Sequence, residues 1–425
     1  MPSRQHEMAL PVLDHIDRHR ESIIETLQRL IQFPTVNPPG DEKAHQEFVA
    51  AQLRDLGIEP QLVEAVPGRP NIVAVMRGAG GGRNLLHYAG HADVVSPGNP
   101  ADWRCDPFAG EVHDGWLYGR GSADHKGSIA ASLAAMRAIV ESGVPLAGDI
   151  LFLVPVDEER GSVAGTRHLI KTGLVYGDMG IYGSAGFLNQ VLVNCAGTLN
   201  LEIHTIGKRA HGGYPHLGIN AIEKASKLVL ALQNMKFEQA NPWWDPKATD
   251  LVSPTRTGTL VVTEIQGGGV GGVPDACRIK VERRLIPDES VNEAMAQITR
   301  VLHNLAQEDP DFQTGVDVTA AVSGINIRSD APIVQAVCAA IRDLGLEPVI
   351  GGSSGGFDAR WIVDALGIPM VSYGAGWNGP DGKFCLHAPN ECIRIDDLIG
   401  MAKGFALIML NVCGCLSDDK EPTRN

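Results

Sequence analysis

The sequence predicts an α/β fold in which helices flank a largely parallel sheet and a smaller α+β domain is inserted into the chain. Two strand-like segments, residues 71–78 and 149–156, are apolar on both faces, as strands buried in parallel sheets are. Helical patterns alternate with these segments along the chain. From about residue 194, apolar and polar residues alternate instead, which indicates the half-exposed strands of a second domain.

The first part of the chain contains the elements of the sheet domain. Apolar residues from Ile16 to Ile31 recur at helical spacing until FPTVNPPG interrupts them, and a second helical pattern stops at Gly57. The segments that follow are the strands NIVAVMRG and NLLHYAG, an Ala-rich helix over 127–140 and the strand DILFLVPV. Strands that alternate with helices in this way predict parallel pairing.

The inserted domain has the order strand, helix, strand, strand, helix. Its segments are TLNLEIHTIG, a helix over 220–235, TGTLVVTEIQGGG, ACRIKVERRLIP and a final helix that ends near Pro310. Two later helices, over 333–344 and 396–410, and the strand PMVSYGAG indicate a return to the first domain. We therefore expect the first domain to comprise residues 1–193 and 311–425, and the insert to comprise residues 194–310.

Composition excludes several classes of partner. The 425-residue chain is 44% hydrophobic and has a formal net charge of -14 without a basic run, so we expect neither a nucleic acid nor a membrane as partner. The N-terminus lacks the apolar stretch of a signal peptide. Near the C-terminus, FALIMLNVCGCL is too short to span a bilayer and predicts a buried helix.

Cysteine usage indicates the compartment. The eight cysteines form no CxxC pair and no zinc-finger spacing. Reduced and mostly buried thiols are typical of cytosolic proteins. We therefore expect a soluble, cytoplasmic chain.

Side chains of the type that binds metals follow several predicted strands, where open α/β sheets place their sites. They are His91 and Asp93 after NLLHYAG, Asp124 after GWLYGRGSA, Glu158 and Glu159 after LFLVPV, and His387 after PMVSYGAG. Imidazole and carboxylate groups together are the ligand set of a hydrolytic zinc site, and Asp93 is spaced to orient the imidazole of His91. Each motif alone has an ordinary explanation as a loop hydrogen bond or a turn residue, but four together favour a metal site.

In LFLVPVDEERGS, three acids directly follow an apolar run, and placing them there costs electrostatic free energy. Asp157, Glu158 and Glu159 are consecutive, and carboxylates at the end of a buried strand repel one another and lose hydration. A bound cation or a shared proton would offset this cost. The alternative explanation is a solvated turn after the strand.

Six segments of the sequence resemble the marker segments of one metallopeptidase family. They are GHADVV, GRGSADHKG, DEERGS, GKRAHGGYPHLGINAI, VPDACRIKVERRLIP and LHAPNE, in the order of the family and over about residues 20–410. The family includes acetylornithine deacetylase, succinyl-diaminopimelate desuccinylase, aminoacylase and carboxypeptidase G. The resemblance implies a two-zinc amidohydrolase, with cobalt or manganese as substitutes, whose catalytic domain is interrupted by a dimerisation or lid domain.

The resemblance also implies roles for individual residues of the metal site. His91 would bind one metal, Asp124 would bridge two, Glu159 and His387 would bind the other, and Glu158 would be the general base. Neighbouring acids on an extended segment point in opposite directions. One acid could therefore bind metal while the other faces the attacking water.

The resemblance assigns function to the inserted domain as well. His211 matches a histidine that reaches into the partner subunit and stabilises the oxyanion, so a homodimer through residues 194–310 is implied. Arg284 matches an arginine that holds the substrate carboxylate, and Gly355 and Gly356 could offer backbone N–H groups to the same carboxylate. An exposed loop histidine and an ordinary strand arginine are the alternatives. Packing within the lid is the expected role of the aromatic pair at 243 and 244.

Two positions depart from the pattern of the family. Gly271 stands where an asparagine is usual, so a polar substrate contact is in doubt. Ser184 stands where a glutamate usually completes the metal site of His91, and a neutral hydroxyl is a poor zinc ligand. We therefore expect unequal occupancy, with the Glu159/His387 site filled and the His91 site weak or empty. The alternative is that another group, such as Asp178 or His125, restores the missing ligand.

The sequence therefore predicts a homodimeric, zinc-dependent hydrolase. Its substrate would be a small carboxylate-bearing amide such as an N-acyl amino acid or a dipeptide. The alternative is a non-catalytic small-molecule-binding protein, or an enzyme of altered chemistry, on the same fold. Glu158 distinguishes the two, because a binding protein does not need a base beside a metal.

Overall fold

A computed structural model describes residues 4–240, 257–268 and 271–414. Trp243 and Trp244, for which we expected a packing role, lie outside these ranges. The chain divides into two compact units. The first comprises Met1–Val193, Ile327–Ile350 and Trp361–Asn425, and the second comprises Asn194–Asn326 and Gly351–Arg360.

The first half of the chain, which the structure describes from residue 4, begins with three α-helices and five strands, and two further α-helices then lie between strands. The elements are α1 (Arg4–Arg18), α2 (Arg20–Ile31), α3 (Lys43–Asp55), β1 (Gln61–Glu64), β2 (Pro70–Met76), β3 (Leu85–Tyr88), β4 (Val112–His113), β5 (Trp116–Tyr118), α4 (Lys126–Glu141), β6 (Ile150–Val154), α5 (Thr166–Thr172), β7 (Met179–Ser184) and β8 (Gln190–Cys195). The helical pattern that we traced from Ile16 to Ile31 is two helices, since α1 ends at Arg18.

The remaining elements form the second unit and the later segments of the first unit. They are β9 (Gly197–Ile206), α6 (Ala221–Gln233), β10 (Thr259–Gly267), β11 (Ala276–Leu285), α7 (Val291–Glu308), β12 (Gln313–Val322), β13 (Ile325–Asn326), α8 (Pro332–Asp343), β14 (Val349–Ser353), α9 (Ala359–Leu366), β15 (Met370–Gly374), β16 (Cys392–Arg394) and α10 (Ile395–Cys413).

The central sheet of the first unit confirms the predicted fold class. Its strands follow the order β1-β2-β6-β3-β7-β15-β8. The four central strands, β6, β3, β7 and β15, are parallel. Strand β2 pairs antiparallel with β6, β8 pairs antiparallel with β15, and β1 pairs antiparallel with β2. Every residue of β3 and β6 is buried, which explains why β6 is apolar throughout, and His87 is the polar exception in β3. Because the central strands are parallel, their carboxyl ends meet at one edge of the sheet.

Helices α4 and α10 pack against each other beside this sheet. The buried alanines of α4, among them Ala131 and Ala135, allow close approach, and α10 is buried over most of its length. The C-terminal apolar segment is thus a core helix, as its composition predicts. Among the described residues, no helix combines the length and apolar character needed to cross a bilayer.

The second unit is an α+β domain that extends further than the sequence predicted. Its antiparallel sheet has the order β10-β11-β9-β12, and α6 and α7 contact this sheet over a core that includes Leu201, Ile279 and Ile298. We had placed its end near Pro310. Strand β12 pairs with β9 along most of its length, so the unit ends at Asn326 instead, and the segment 351–360 also belongs to it.

Candidate metal centre

Four chain segments of the first unit present the predicted ligands. His91 lies three residues beyond β3, Glu158 and Glu159 follow β6, and His387 lies in the loop after β15. Asp124 differs from the expectation. The strand before it, β5, belongs to a small separate sheet with β4 and β16, and Asp124 itself lies two residues before α4. It therefore approaches the cluster from a helix N-terminus and not from a strand end of the central sheet.

The carboxylate of Asp124 lies at the centre of the cluster. Its Oδ1 is 3.2 Å from Nε2 of His91 and 3.0 Å from Nε2 of His125. Its Oδ2 is 3.2 Å from Nε2 of His387, and that nitrogen is 3.4 Å from Oε1 of Glu159. Each oxygen of Asp124 thus faces its own set of ligand atoms. One set is His91 with His125, and the other is His387 with Glu159.

The peptide carbonyl of Asp93 fixes the orientation of His91. Nδ1 of His91 is 2.9 Å from this carbonyl oxygen and 3.5 Å from the Asp93 carboxylate. With the Nδ1 proton donated to the carbonyl, Nε2 is directed toward Asp124 and could ligate a cation there. The Asp93 carboxylate instead accepts hydrogen bonds from the backbone N–H groups of Glu158 and Glu159 and from Nδ2 of Asn37. Asp93 therefore positions the two acids as well as the imidazole.

The two glutamates diverge for a different reason than we expected. Residues Glu158–Arg160 form a single 3-10 turn, so the prediction of an extended segment is wrong. Around this turn, Oε1 of Glu159 faces His387, and Oε2 of Glu158 lies 3.9 Å from Nε2 of His91. Glu158 is thus adjacent to the ligand atoms but belongs to neither converging set.

Asp157, the first of the three acids, is held by partners of its own. Its φ of 67° lies in the left-handed region. One carboxylate oxygen accepts from Nδ2 of Asn37 at 3.1 Å and lies 3.4 Å from the Arg69 guanidinium, and the other accepts from the N–H of Ala164 at 3.0 Å. These contacts offset the cost of burying the Asp157 carboxylate without a bound metal ion.

A buried carboxylate holds the segment that leads to Asp124. Glu391 is fully buried and accepts hydrogen bonds from the N–H groups of Gly121, Ala123 and Asp124 at 3.1, 3.0 and 3.0 Å. Its other oxygen pairs with the buried guanidinium of Arg120. Sequence reasoning did not single out Glu391, although LHAPNE, one of the marker segments, contains it.

The electrostatics of the cluster favour a cation. Hydrogen bonds to Asp124 and Glu159 raise the pKa of His387 to about 10. Burial lowers the pKa of His91, but its contacts with Asp124 and Asp93 outweigh this effect and raise it well above its usual value. Burial also opposes ionisation of Asp124, but the neighbouring histidines hold its pKa well below the usual value. Imidazole and carboxylate donors in this arrangement fit a divalent cation such as zinc.

The two positions that bear on the missing glutamate lie at opposite ends of β7. Ser184 is the last residue of β7 and pairs with Gly374 at the edge where the cluster forms. Asp178 precedes β7 and accepts a hydrogen bond from the N–H of Asn84. Six strand residues separate Asp178 from this edge, a distance of roughly 20 Å. Asp178 therefore does not restore the missing ligand.

The residues predicted to contact substrate lie in the second unit. His211 is exposed, and its Nδ1 accepts a hydrogen bond from the N–H of Gly213 at 3.1 Å, so the neutral ring has its proton on Nε2. Arg284 forms an ion pair with Glu282. Gly271 has a φ of 74°, a conformation that glycine adopts readily.

A second arginine, which sequence reasoning missed, lies near Arg284. The hydroxyl oxygen of Thr198 is 3.4 Å from Nη1 of Arg284 and 3.0 Å from Nη1 of Arg360. Arg360 ends the segment GGSSGGFDAR, which also contains Gly355 and Gly356. That segment belongs to the second unit and not to the returning first domain.

Comparisons with known proteins agree with the motifs. Residues 87–411 match the model of peptidase family M20/M25/M40. The chain is 30% identical over 393 residues to a succinyl-diaminopimelate desuccinylase of Methylobacterium radiotolerans, with 90% of this chain and 95% of the relative covered. It is 27% identical over 422 residues to an N-formyl-4-amino-5-aminomethyl-2-methylpyrimidine deformylase of Bacillus subtilis, with 94% and 96% covered.

A solved structure has the same fold. It is an M20 family metallo-carboxypeptidase from Sulfolobus solfataricus, with a TM-score of 0.75, 20% identity, and coverage of 92% of this chain and 98% of that one. The family predicted from the marker segments is therefore confirmed. The chain belongs to peptidase family M20/M25/M40 and is a metal-dependent amidohydrolase.

Proposed function

We propose that this protein hydrolyses the amide bond of a small carboxylate-bearing substrate, of the N-acyl amino acid or dipeptide type, with Glu158 as the general base. The observation that supports this most is the position of Glu158, 3.9 Å from Nε2 of His91 and outside both sets of converging ligand atoms. The names of the two sequence relatives describe removal of a succinyl and a formyl group, which favours a deacylase.

Zinc is the cofactor that we propose, with cobalt or manganese as substitutes. A divalent cation bound at this centre lowers the pKa of a water molecule toward neutrality and polarises the carbonyl of the substrate. The residues that would hold it surround Asp124, and the buried Asp93 fixes the ring of His91 for that purpose.

Glu158 would move one proton during the reaction. Its carboxylate accepts a proton from the attacking water as the new C–O bond forms, and later delivers it to the amine nitrogen as the C–N bond breaks. Glu159 is directed to His387, so we assign it to the metal and not to the transfer of this proton. A second candidate, a binding protein or an enzyme of altered chemistry, is favoured only by Ser184, which stands where a ligand glutamate was expected.

The substrate carboxylate would bind in the second unit. Arg284 and Arg360 both approach the hydroxyl of Thr198, so two guanidinium groups offer donors within a small region. The backbone N–H groups of Gly355 and Gly356 belong to the same segment as Arg360 and would add to this site.

We propose that the second unit, predicted as residues 194–310, forms a homodimer and supplies His211 to the site of the partner. Among the residues that the structure describes, β10 is an edge of its sheet, and Val261 and Ile265 on this strand are 54% and 53% exposed. Unpaired backbone groups on an edge strand favour pairing with another chain. His211 would donate from Nε2 to the oxyanion, which suits the tautomer that Gly213 selects. The described cysteines are free thiols, which is consistent with a cytoplasmic location.

The role of Glu158 is tested by Glu158→Gln, which keeps the shape of the side chain and removes its basicity. Turnover of a responsive N-acyl amino acid should fall by on the order of 10²–10⁴-fold, because general-base assistance is lost. Metal content by elemental analysis should stay unchanged. Glu47→Gln, on the exposed surface of α3, is the control and should keep full activity. A Glu158→Gln enzyme with normal turnover would contradict the assignment.

The role of His211 is tested by subunit mixing. His211→Ala should lower kcat by on the order of a hundredfold, as loss of one oxyanion donor does. His216→Ala, an exposed histidine of the same loop, should not. Mixing His211→Ala with Glu158→Gln chains should restore part of the activity, because a heterodimer contains one site with an intact base and an intact histidine. If the subunits exchange and no activity returns, His211 does not act across the dimer.

The carboxylate site is tested with paired substrates. Replacing the free carboxylate by an amide should cost about 2–5 kcal/mol in kcat/KM if the ion pair is desolvated. Arg284→Met should make this penalty smaller, because the variant has lost the charge that distinguishes the two substrates. Arg209→Met, an exposed arginine of the same unit, is the control and should keep the penalty. Equal efficiency with both substrates in the unmodified enzyme would show that no such site acts.

A further inference from the structure

The cluster around Asp124 contains one imidazole more than the marker segments imply. His125 follows Asp124 directly in the chain, and its Nε2 is 3.0 Å from Oδ1 of Asp124. The rings of His91 and His125 have centroids 4.4 Å apart and meet at 61°. Their two Nε2 atoms therefore converge on the same carboxylate oxygen, and all three ligand atoms lie within 4.8 Å of one another.

His125 lies on the side of β7 where the missing glutamate would stand. Its ring meets the edge of the Tyr182 ring at a centroid distance of 5.5 Å. Alternate residues of a strand share a face, so Ser184 faces the same side of β7 as Tyr182. A glutamate in place of Ser184 would extend into this region. The imidazole of His125 enters the same region from the N-terminus of α4.

We propose that His125 is the third protein ligand of the first cation site, together with His91 and Oδ1 of Asp124. The second site would consist of Oδ2 of Asp124, Glu159 and His387. Each site would then have three protein ligands and a position for water or substrate, the usual number for a catalytic zinc. This inference rests on the proposed function only in that both place a cation beside Asp124.

An imidazole in place of a carboxylate changes which metal ion the first site prefers. Its ligands are two nitrogens and one oxygen, whereas the second site has one nitrogen and two oxygens. Imidazole suits zinc, and carboxylate suits manganese. The first site should therefore select zinc strongly over manganese, and the second site should discriminate less. A serine at 184 is compatible with this site because no further protein ligand is needed.

Metal counts after equilibrium dialysis test the proposal without any assay of activity. The unmodified protein should hold about two zinc ions per chain but about one manganese ion. His125→Asn should hold about one zinc ion, and adding Ser184→Glu to that variant should restore the second. His303→Asn, an exposed histidine of α7, is the control and should hold two. Ser184→Glu alone should leave the zinc count at two.

Two outcomes would overturn the proposal. One is a single zinc ion in the unmodified protein at saturating zinc, with a second ion gained on Ser184→Glu, which would mean that the first site is incomplete. The other is a folded His125→Asn variant that still binds two zinc ions. If His125→Asn does not fold, the unmodified protein and Ser184→Glu still decide the question. Neither count depends on Glu158, so a failure of the general-base assignment would leave this result intact.

Discussion

The centre of this protein depends on one carboxylate, that of Asp124, which three imidazoles surround. His91 and His125 face one of its oxygens, and His387 faces the other. Asp124 is mostly buried, and Glu158 and Glu159 lie beside the histidines that surround it, so cationic partners are needed to offset the concentration of negative charge. The same negative charge raises the pKa of His91 and of His387. The geometry of the ligand atoms indicates that bound metal cations offset this negative charge in the working enzyme.

The fold delivers these groups by bringing distant segments to one edge of a parallel sheet. Strands β3 and β6 lie side by side, and the segments after them contain His91 and Glu159. A layer of buried polar groups behind the ligands then fixes their directions. Asn37 bridges the carboxylates of Asp93 and Asp157, and Glu391 holds the backbone before α4. These contacts give the site a defined geometry before any ligand binds.

The sequence predicted the architecture and the ligand types because both leave local patterns. Apolar strands that alternate with helices indicate a helix-flanked sheet, although β2, one of the two segments that are apolar on both faces, pairs antiparallel with β6. The marker segments are continuous in the chain. The sequence predicted the geometry of DEERGS incorrectly. The 3-10 turn there is held by the Asp93 carboxylate, which accepts hydrogen bonds from the N–H groups of Glu158 and Glu159 and lies in the segment after β3, distant in sequence. The end of the second unit was missed for a similar reason, because β12 pairs with β9 across more than 100 residues of chain.

The position of His125 could not be resolved from the sequence, where it was one of two candidates to replace a missing ligand. A histidine next to Asp124 could equally face the core or solvent, and only the approach of α4 to the end of β7 decides the direction of its ring. The most direct test of the account is anomalous diffraction at the zinc edge from crystals of the zinc-loaded protein. We predict two peaks about 3.5–4 Å apart, one between His91, His125 and Oδ1 of Asp124 and one between Glu159, His387 and Oδ2. A single peak, or a pair of peaks that Asp124 does not bridge, would contradict the central role of this carboxylate.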